Sequence, residues 1–318
     1  MTRYLLTRLL HAVAIVWAAF TLSFVMLYLL PGNPVEIMLG GQSGTGVASA
    51  AQVAQLSAAY GFNKPVPVQY AERLGAALHG DFGTSVQTGA SVTHTFLAAL
   101  PQTFELAGAG LVLAVLLGPA LALAATMTRS ARLGRLLLAL PAVGVSLPQF
   151  AVGLVLLEVF SFQLRLLPAF GDTAGAGLIL PAVTLALPNA ALFAQVFAQS
   201  LDSAMQQPYI TTARAKGAGR ARVHLGHAAR NAALPLVSLL GVVAGNLLAG
   251  TVVVETVFSR NGFGRITTAA VENKDIPVVQ GAVVVGALVF AAVNLAADVA
   301  APLLDPRLAR PAPGPAGA

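Results

Sequence analysis

Long, nearly uninterrupted apolar runs alternate along this chain with short polar segments. Six of the runs approach the ~20 residues a helix needs to cross a ~30 Å hydrocarbon core. They cover about residues 9–30, 103–126, 136–160, 178–199, 232–258 and 277–300. Continuous apolar character favours helices over a barrel, whose strands alternate apolar and polar residues over ~10 positions. Each helix then satisfies its own backbone polar groups in lipid. The first run follows Arg3 and Arg8, as the core of a signal peptide would. It is longer than the ~7–15 residues of such a core, and Leu29-Leu-Pro-Gly-Asn33 lacks a small-x-small cleavage site, so it reads as a retained transmembrane helix.

Composition agrees with the pattern. The 318 residues are 57% hydrophobic and 9% charged, with mean hydropathy +0.78, whereas soluble domains carry roughly 25% charged residues. The expected fold class is an all-α membrane protein with six transmembrane helices. Its orientation follows from the basic residues. Arg3, Arg8, Arg129, Arg132, Arg135, Arg214, Lys216, Arg220, Arg222, Arg230, Arg307 and Arg310 fall on one side of the six-helix scheme, and Lys64, Arg73, Arg165, Arg260, Arg265 and Lys274 on the other. The positive-inside rule therefore predicts cytoplasmic N and C termini. The net charge of +6 is explained by this topology, and neither a compact basic domain nor interleaved aromatics support nucleic-acid binding.

Residues 31–102 form the one long segment outside the spans and are expected to be extracytoplasmic. Gly40-Gly-Gln-Ser-Gly-Thr-Gly46 is flexible by composition. A short helix is expected over 49–60 with Ser49 as N-cap, then a proline-stiffened connector at Asn63-Lys-Pro-Val-Pro-Val-Gln-Tyr70, then a second helix over 68–78 ending at Gly80. A loop of this length points to a cap on a pore or to contact with an external partner.

The most informative polar stretch is Tyr209-Ile-Thr-Thr-Ala-Arg-Ala-Lys-Gly217, followed by a basic run to Arg230 and Asn231-Ala-Ala-Leu-Pro235. Pro208 suits a first helical turn, the next residues are good helix formers, and Gly217 and Gly219 interrupt. A second short helix resumes over 222–230. Two helices on the cytoplasmic membrane face with a glycine at their corner would let another protein's backbone approach closely. Contact with anionic lipid headgroups is the alternative reading of the same charges.

Catalytic signatures are lacking. A P-loop needs Gly-Lys followed by Ser or Thr, and the three lysines, Lys64, Lys216 and Lys274, are followed by Pro65, Gly217 and Asp275. The chain has no cysteine, hence no disulfide and no thiolate metal site. His79 and His94 are external, and His224 and His227 stand at i, i+3 spacing on one face of the polar loop, a poor basis for a metal site without cysteine or a carboxylate cluster.

Ionisable residues in spans are costly and count as functional candidates. Glu105 is expected in the first turn of the second span, favoured there by the helix dipole. Glu158 and Asp298 lie near span ends, and Glu255 either faces a pore or ties its helix to Arg260 or Arg265. Ser146, Gln149, Gln195, Asn246 and Glu255 are the candidate pore-lining groups, and the uncharged ones serve equally well as interhelical hydrogen-bond partners.

A series of segments in order resembles the inner-membrane permease subunits of ATP-binding-cassette (ABC) importers of the dipeptide, oligopeptide, nickel and glutathione family. They include Tyr4-Leu-Leu-Thr-Arg-Leu-Leu10, Leu29-Leu-Pro-Gly-Asn-Pro34, Gly80-Asp-Phe-Gly-Thr-Ser85 and Leu180-Pro-Ala-Val-Thr-Leu-Ala-Leu187. Thr212-Ala-Arg-Ala-Lys-Gly217, Arg230-Asn-Ala-Ala-Leu-Pro235, Val253-Val-Glu-Thr-Val-Phe258 and Leu303-Leu-Asp-Pro-Arg307 continue the series. The resemblance implies a type I importer permease fold, with an N-terminal helix and external loop over 1–97, a permease domain over 98–305 and a cytoplasmic tail over 306–318. It also implies a coupling loop that docks on an ATPase and carries the family's EAA motif, here Tyr209, Thr211, Thr212, Ala213, Arg214, Ala215, Lys216, Gly217 and Arg222. Thr211 and Thr212 depart from the motif's Glu and Ala, and Arg260-Asn261 stands where relatives commonly carry Trp-Pro.

The implied partners are a second homologous permease subunit, two ATPase subunits that use ATP and Mg, an external solute-binding protein and the lipid of a bacterial plasma (inner) membrane. By the same resemblance the chain itself is no enzyme and binds no cofactor. The expected substrate is a short peptide, with nickel, glutathione or another small solute as the alternative. A proton-coupled secondary transporter, for which inverted repeats are expected, and a purely structural membrane subunit are the competing classes.

Overall fold

The apolar runs form helices because lipid offers the backbone no other hydrogen-bond partners. The structure, a computed structural model, describes residues 2–29, 35, 50–170 and 175–304. Ser49, the run 40–46 and the tail 306–318 lie outside them. In order come α1 (Thr2–Leu29), α2 (Ala50–Ala59), α3 (Val66–Leu78), α4 (Val92–Met127) and α5 (Ala131–Ser146). Next are α6 (Gln149–Leu156), continued by a π-helical segment at Leu157–Gln163, α7 (Ala176–Met205) and α8 (Pro208–Ala215). A second π-helical segment at Arg222–Ala228 leads into α9 (Ala229–Ala232), α10 (Leu234–Val257), α11 (Phe263–Glu272) and α12 (Ile276–Leu304). Among the described residues α1, α4, α7, α10 and α12 are long and apolar enough to cross a membrane, and α5 with α6 and its continuation to Gln163 counts as a sixth when that bent pair is taken as one broken span.

That break corrects the expectation of one helix over 136–160. A residue before proline is pushed out of the helical region, and Leu147 accordingly takes φ −83°, ψ 132° before Pro148 at φ −59°, ψ 130°. The helix restarts at Gln149, bent by 106°. A second correction concerns α4, which begins at Val92 instead of 103. Apolar content marks the stretch suited to lipid, but the helix runs on through Pro101. Glu105 is therefore inside α4, and the first-turn dipole argument does not apply to it.

The chain divides into two compact units, Met1–Thr103 with Arg260–Ala292, and Phe104–Ser259 with Val293–Ala318. In the first, Phe20 and Phe24 of α1 meet the Tyr70 ring of α3 edge-on at 5.6 and 5.3 Å. Val92, Phe96, Ala270, Val278, Ala282 and Val285 form its buried core. Asp275, 3% exposed, accepts hydrogen bonds from the Ser85 hydroxyl (2.5 Å) and the Val86 and Gln87 amides (3.3 and 3.4 Å), pinning the turn after Gly80 to the start of α12. Removing one partner from a buried hydrogen-bonded set costs about 1–3 kcal/mol, more for a charged group. Asp275→Ala is thus expected to lower thermal stability by about 2 kcal/mol, read from the unfolding midpoint of the detergent-purified protein, with Asp275→Asn losing less.

The second unit is organised around α7, which packs against α5, α6, α9 and α10. Leu106, Leu180, Leu185, Phe193, Val243, Leu247, Val254 and Phe258 fill its main core. Helices in lipid pack through small residues because no hydrophobic drive separates protein from solvent there. Here Ala182, Ala186, Ala190, Ala191 and Ala194 of α7 are buried, and Gly118 of α4 approaches so closely that an added Cβ would lie 2.6 Å from the Ala190 carbonyl oxygen.

Candidate coupling and translocation sites

After α7, Gln207 is extended (ψ 147°) and Pro208 opens α8 at its first position, where a missing N–H costs nothing. The helix lasts eight residues. It ends in a Schellman motif: the Ala218 N–H reaches the Ala213 carbonyl (3.1 Å), the Gly217 N–H reaches the Arg214 carbonyl (2.9 Å), and Gly217 sits at φ +79°. Left-handed backbone of this kind is strained for any residue with a Cβ, which gives the glycine at this corner a backbone reason.

What holds α8 in place is Ile210, 1% exposed, set among Phe197, Leu201, Val223, Ala228 and Ala232. Sequence reading passed over Ile210, although a lone large apolar residue in a polar helix was the available signal. Tyr209 offers its hydroxyl oxygen to Asn231 Nδ2 at 3.1 Å, linking the two halves of the loop. Tyr209, Thr211, Thr212, Arg214, Ala215, Lys216, Gly217 and Arg222 are exposed, and Ala213 is half-buried. The candidate residues thus form one solvent-facing cationic surface, held from beneath by an apolar anchor, and nothing lies within 4 Å of a Cβ built on Gly217.

The second half of the loop differs from expectation in its winding. Residues 222–228 are π-helical, so i, i+3 neighbours do not coincide as they do on an α-helix. His224 is buried, its Nδ1 2.9 Å from the Arg220 carbonyl, while His227 is exposed. The two imidazoles therefore do not share a face. Among the described residues no group of three or more His, Cys, Asp and Glu is placed to hold a metal.

Candidate pore residues fall into two settings. Ser146 and Gln149 flank the break in the third span, and the Ser146 hydroxyl donates to the Ala142 carbonyl at 2.7 Å. The Gln149 amide lies over Gly250, 3.3 Å from a Cβ built there, one turn along α10 from Asn246. Asn246 is exposed on a stripe with Val242, Ala249, Val253 and Thr256, and Gln195 is exposed on α7. Glu255 is different: it is 0% exposed, enclosed by the chain's own residues. The structure brings Gln149 close to the helix of Asn246 and sets Glu255 apart from that open face.

Comparison with known proteins bears on the whole arrangement. The model described as "Binding-protein-dependent transport system inner membrane component" matches residues 110–310, and its N-terminal counterpart matches residues 1–107. The glutathione transport system permease protein GsiC of Salmonella paratyphi A is 34% identical over 308 residues, 97% of this chain and 99% of that protein. A probable peptide ABC transporter permease protein, y4tP of Sinorhizobium fredii, is 32% identical over 313 residues, covering 96% and 98% of the two chains. Among solved structures, an amino acid ABC transporter crystallised with histidines superposes with a TM-score of 0.51 over 68% of this chain and 94% of that one, at 19% identity, a likeness of fold. Spans, exposed loop and near end-to-end similarity converge, and the chain belongs to the family of binding-protein-dependent transport system inner membrane components, the permeases of ABC importers.

Proposed function

We propose that this permease, with both termini in the cytoplasm, pairs with a homologous second subunit to form the path for short peptides delivered by an external solute-binding protein. Two ATPase subunits power it by docking on the surface formed by Tyr209, Thr211, Thr212, Ala213, Arg214, Ala215, Lys216, Gly217 and Arg222. One observation carries this reading: α8 is short and solvent-facing, yet fixed by Ile210 and ended by the Gly217 motif. A rigid exposed helix can pass a displacement inward, whereas a loop that only met lipid headgroups would need no such anchor. Glutathione, the solute named for GsiC, is itself a tripeptide and falls within the proposed class.

In this mechanism ATP binding closes the ATPases against α8, and the loop carries that movement to the spans, switching access from one side to the other. The path would run past Gln149, Asn246, Gln195 and Ser146. Glu255, enclosed within the subunit, serves as a structural acid of α10.

The test is uptake by proteoliposomes containing the purified permease pair, its ATPases and the binding protein. Peptide uptake is expected to require ATP and to persist when a protonophore collapses the proton gradient. Uptake that stops with the protonophore and ignores ATP would replace the importer with a proton-coupled transporter.

A further inference from the structure

Arg220 lies at the corner of the loop, but its contacts lead elsewhere. Its Nη2 donates to two backbone carbonyls at once, those of Thr126 (3.1 Å) and Thr128 (3.0 Å), 94 and 92 residues away in sequence. These oxygens lie in the last turn of α4 and just past its end, where carbonyls lack intrahelical partners. A cation is favoured there by the helix dipole, and the bonds are charge-assisted. The Arg220 backbone belongs in turn to the second half of the loop, held by the buried Val223 and His224.

The target is itself rigid. The connection from α4 to α5 spans only residues 128–130, the Ser130 hydroxyl accepts from the Leu133 N–H at 3.3 Å, and a Cβ on Gly134 would meet the Ala125 carbonyl oxygen at 2.9 Å. From this corner α5 continues, with the buried Pro141 inside it, to Ser146 and ends at the bend of 106° before α6. A push on the corner therefore reaches the break in the third span, flanked by Ser146 and Gln149.

We propose that Arg220 is a positioning residue for transport: it is the strut that carries movement of the coupling loop into the α4–α5 corner, and so through α5 to a hinge at Leu147–Pro148. This rests on the reading of the loop as an ATPase-docking surface. A guanidinium that merely capped α4 would affect stability and leave transport per ATP unchanged.

The experiment compares the reconstituted complex carrying native chain with one carrying Arg220→Ala, measuring ATPase co-purification, basal hydrolysis and peptide taken up per ATP. Expected for Arg220→Ala are normal co-purification, basal hydrolysis within about twofold of native, and uptake per ATP reduced about tenfold, within the range of ordinary coupling energies. Because the chain has no cysteine, an Arg220→Cys, Arg129→Cys double variant bridged by a short bis-maleimide supplies a second arm with cysteine-free ATPases. Bridging is expected to restore uptake per ATP relative to the same variant left unbridged, and this comparison decides the matter if Arg220→Ala assembles poorly. Unchanged uptake per ATP in Arg220→Ala, or a bridged variant as uncoupled as the unbridged one, overturns the strut while leaving ATPase docking intact. Failure of the native chain to retain an ATPase would instead remove the docking reading, and the strut with it.

Discussion

Gly118→Val is expected to abolish accumulation of folded protein in the membrane. A Cβ at this position would lie 2.6 Å from both the Ala190 carbonyl oxygen and the Phe193 Cβ, and 3.0 Å from the Ala194 amide nitrogen. Two of these three obstacles are backbone atoms of α7, the helix on which the second unit is assembled, so no side-chain rotation relieves the clash. Overpacking a core usually costs roughly 1–3 kcal/mol because neighbours yield; here the helices themselves must part, and the loss should exceed that range. Gly108→Val in the same helix is the matched control, since nothing lies within 4 Å of its Cβ. Membrane yield and monodispersity after detergent extraction should be near native for Gly108→Val and lost for Gly118→Val. Comparable yields for the two would show that α4 and α7 do not meet as closely as described.

The second large effect is functional. Gly217→Glu should leave the chain in the membrane at near-native amounts and eliminate both ATPase co-purification and ATP-driven uptake. The φ of +79° penalises any Cβ, at about 1–2 kcal/mol, but the space around the corner is open, so the subunit itself can accept the side chain. The added carboxylate would face the negative end of α8 and fill the open space at the corner where the proposed docking would bring a partner's backbone. Gly217→Asn separates the causes, since asparagine tolerates left-handed backbone and brings less bulk and no charge. It should keep a measurable share of bound ATPase. Undiminished co-purification with Gly217→Glu would move the docking surface away from this corner.

Much of this was legible locally. The placing of five unbroken spans needed only the length of the apolar runs, and α8 was readable from Pro208 and Gly217 because start and stop signals act on adjacent backbone. The break at Leu147–Pro148 was also written in the chain, but the apolar run continues across it, so hydropathy hid what proline stereochemistry dictates. For α4 the same criterion erred in the other direction: the helix extends beyond its most apolar stretch, which moved Glu105 from a terminus to the interior.

Other features had no local signal. Ile210 could be seen as apolar but not as an anchor, because its neighbours Phe197 and Ala232 come from two other helices. Nothing near Asp275 announces that it receives the Ser85 hydroxyl from 190 residues away, and nothing near Arg220 announces the carbonyls of Thr126 and Thr128. Asn246 and Glu255 looked alike as polar groups in one apolar helix. Only the packing of α10 separates them, leaving one on an open face and enclosing the other.

Membrane residence, the run of helices and the position of the exposed loop thus follow from the order of residues alone, because lipid demands apolar length and helix ends depend on a few consecutive side chains. Which glycines bear the close contacts, where the third span bends in space, and what Arg220 grips were settled by the folded chain, because each depends on groups brought together from distant positions, whose distances no local pattern encodes.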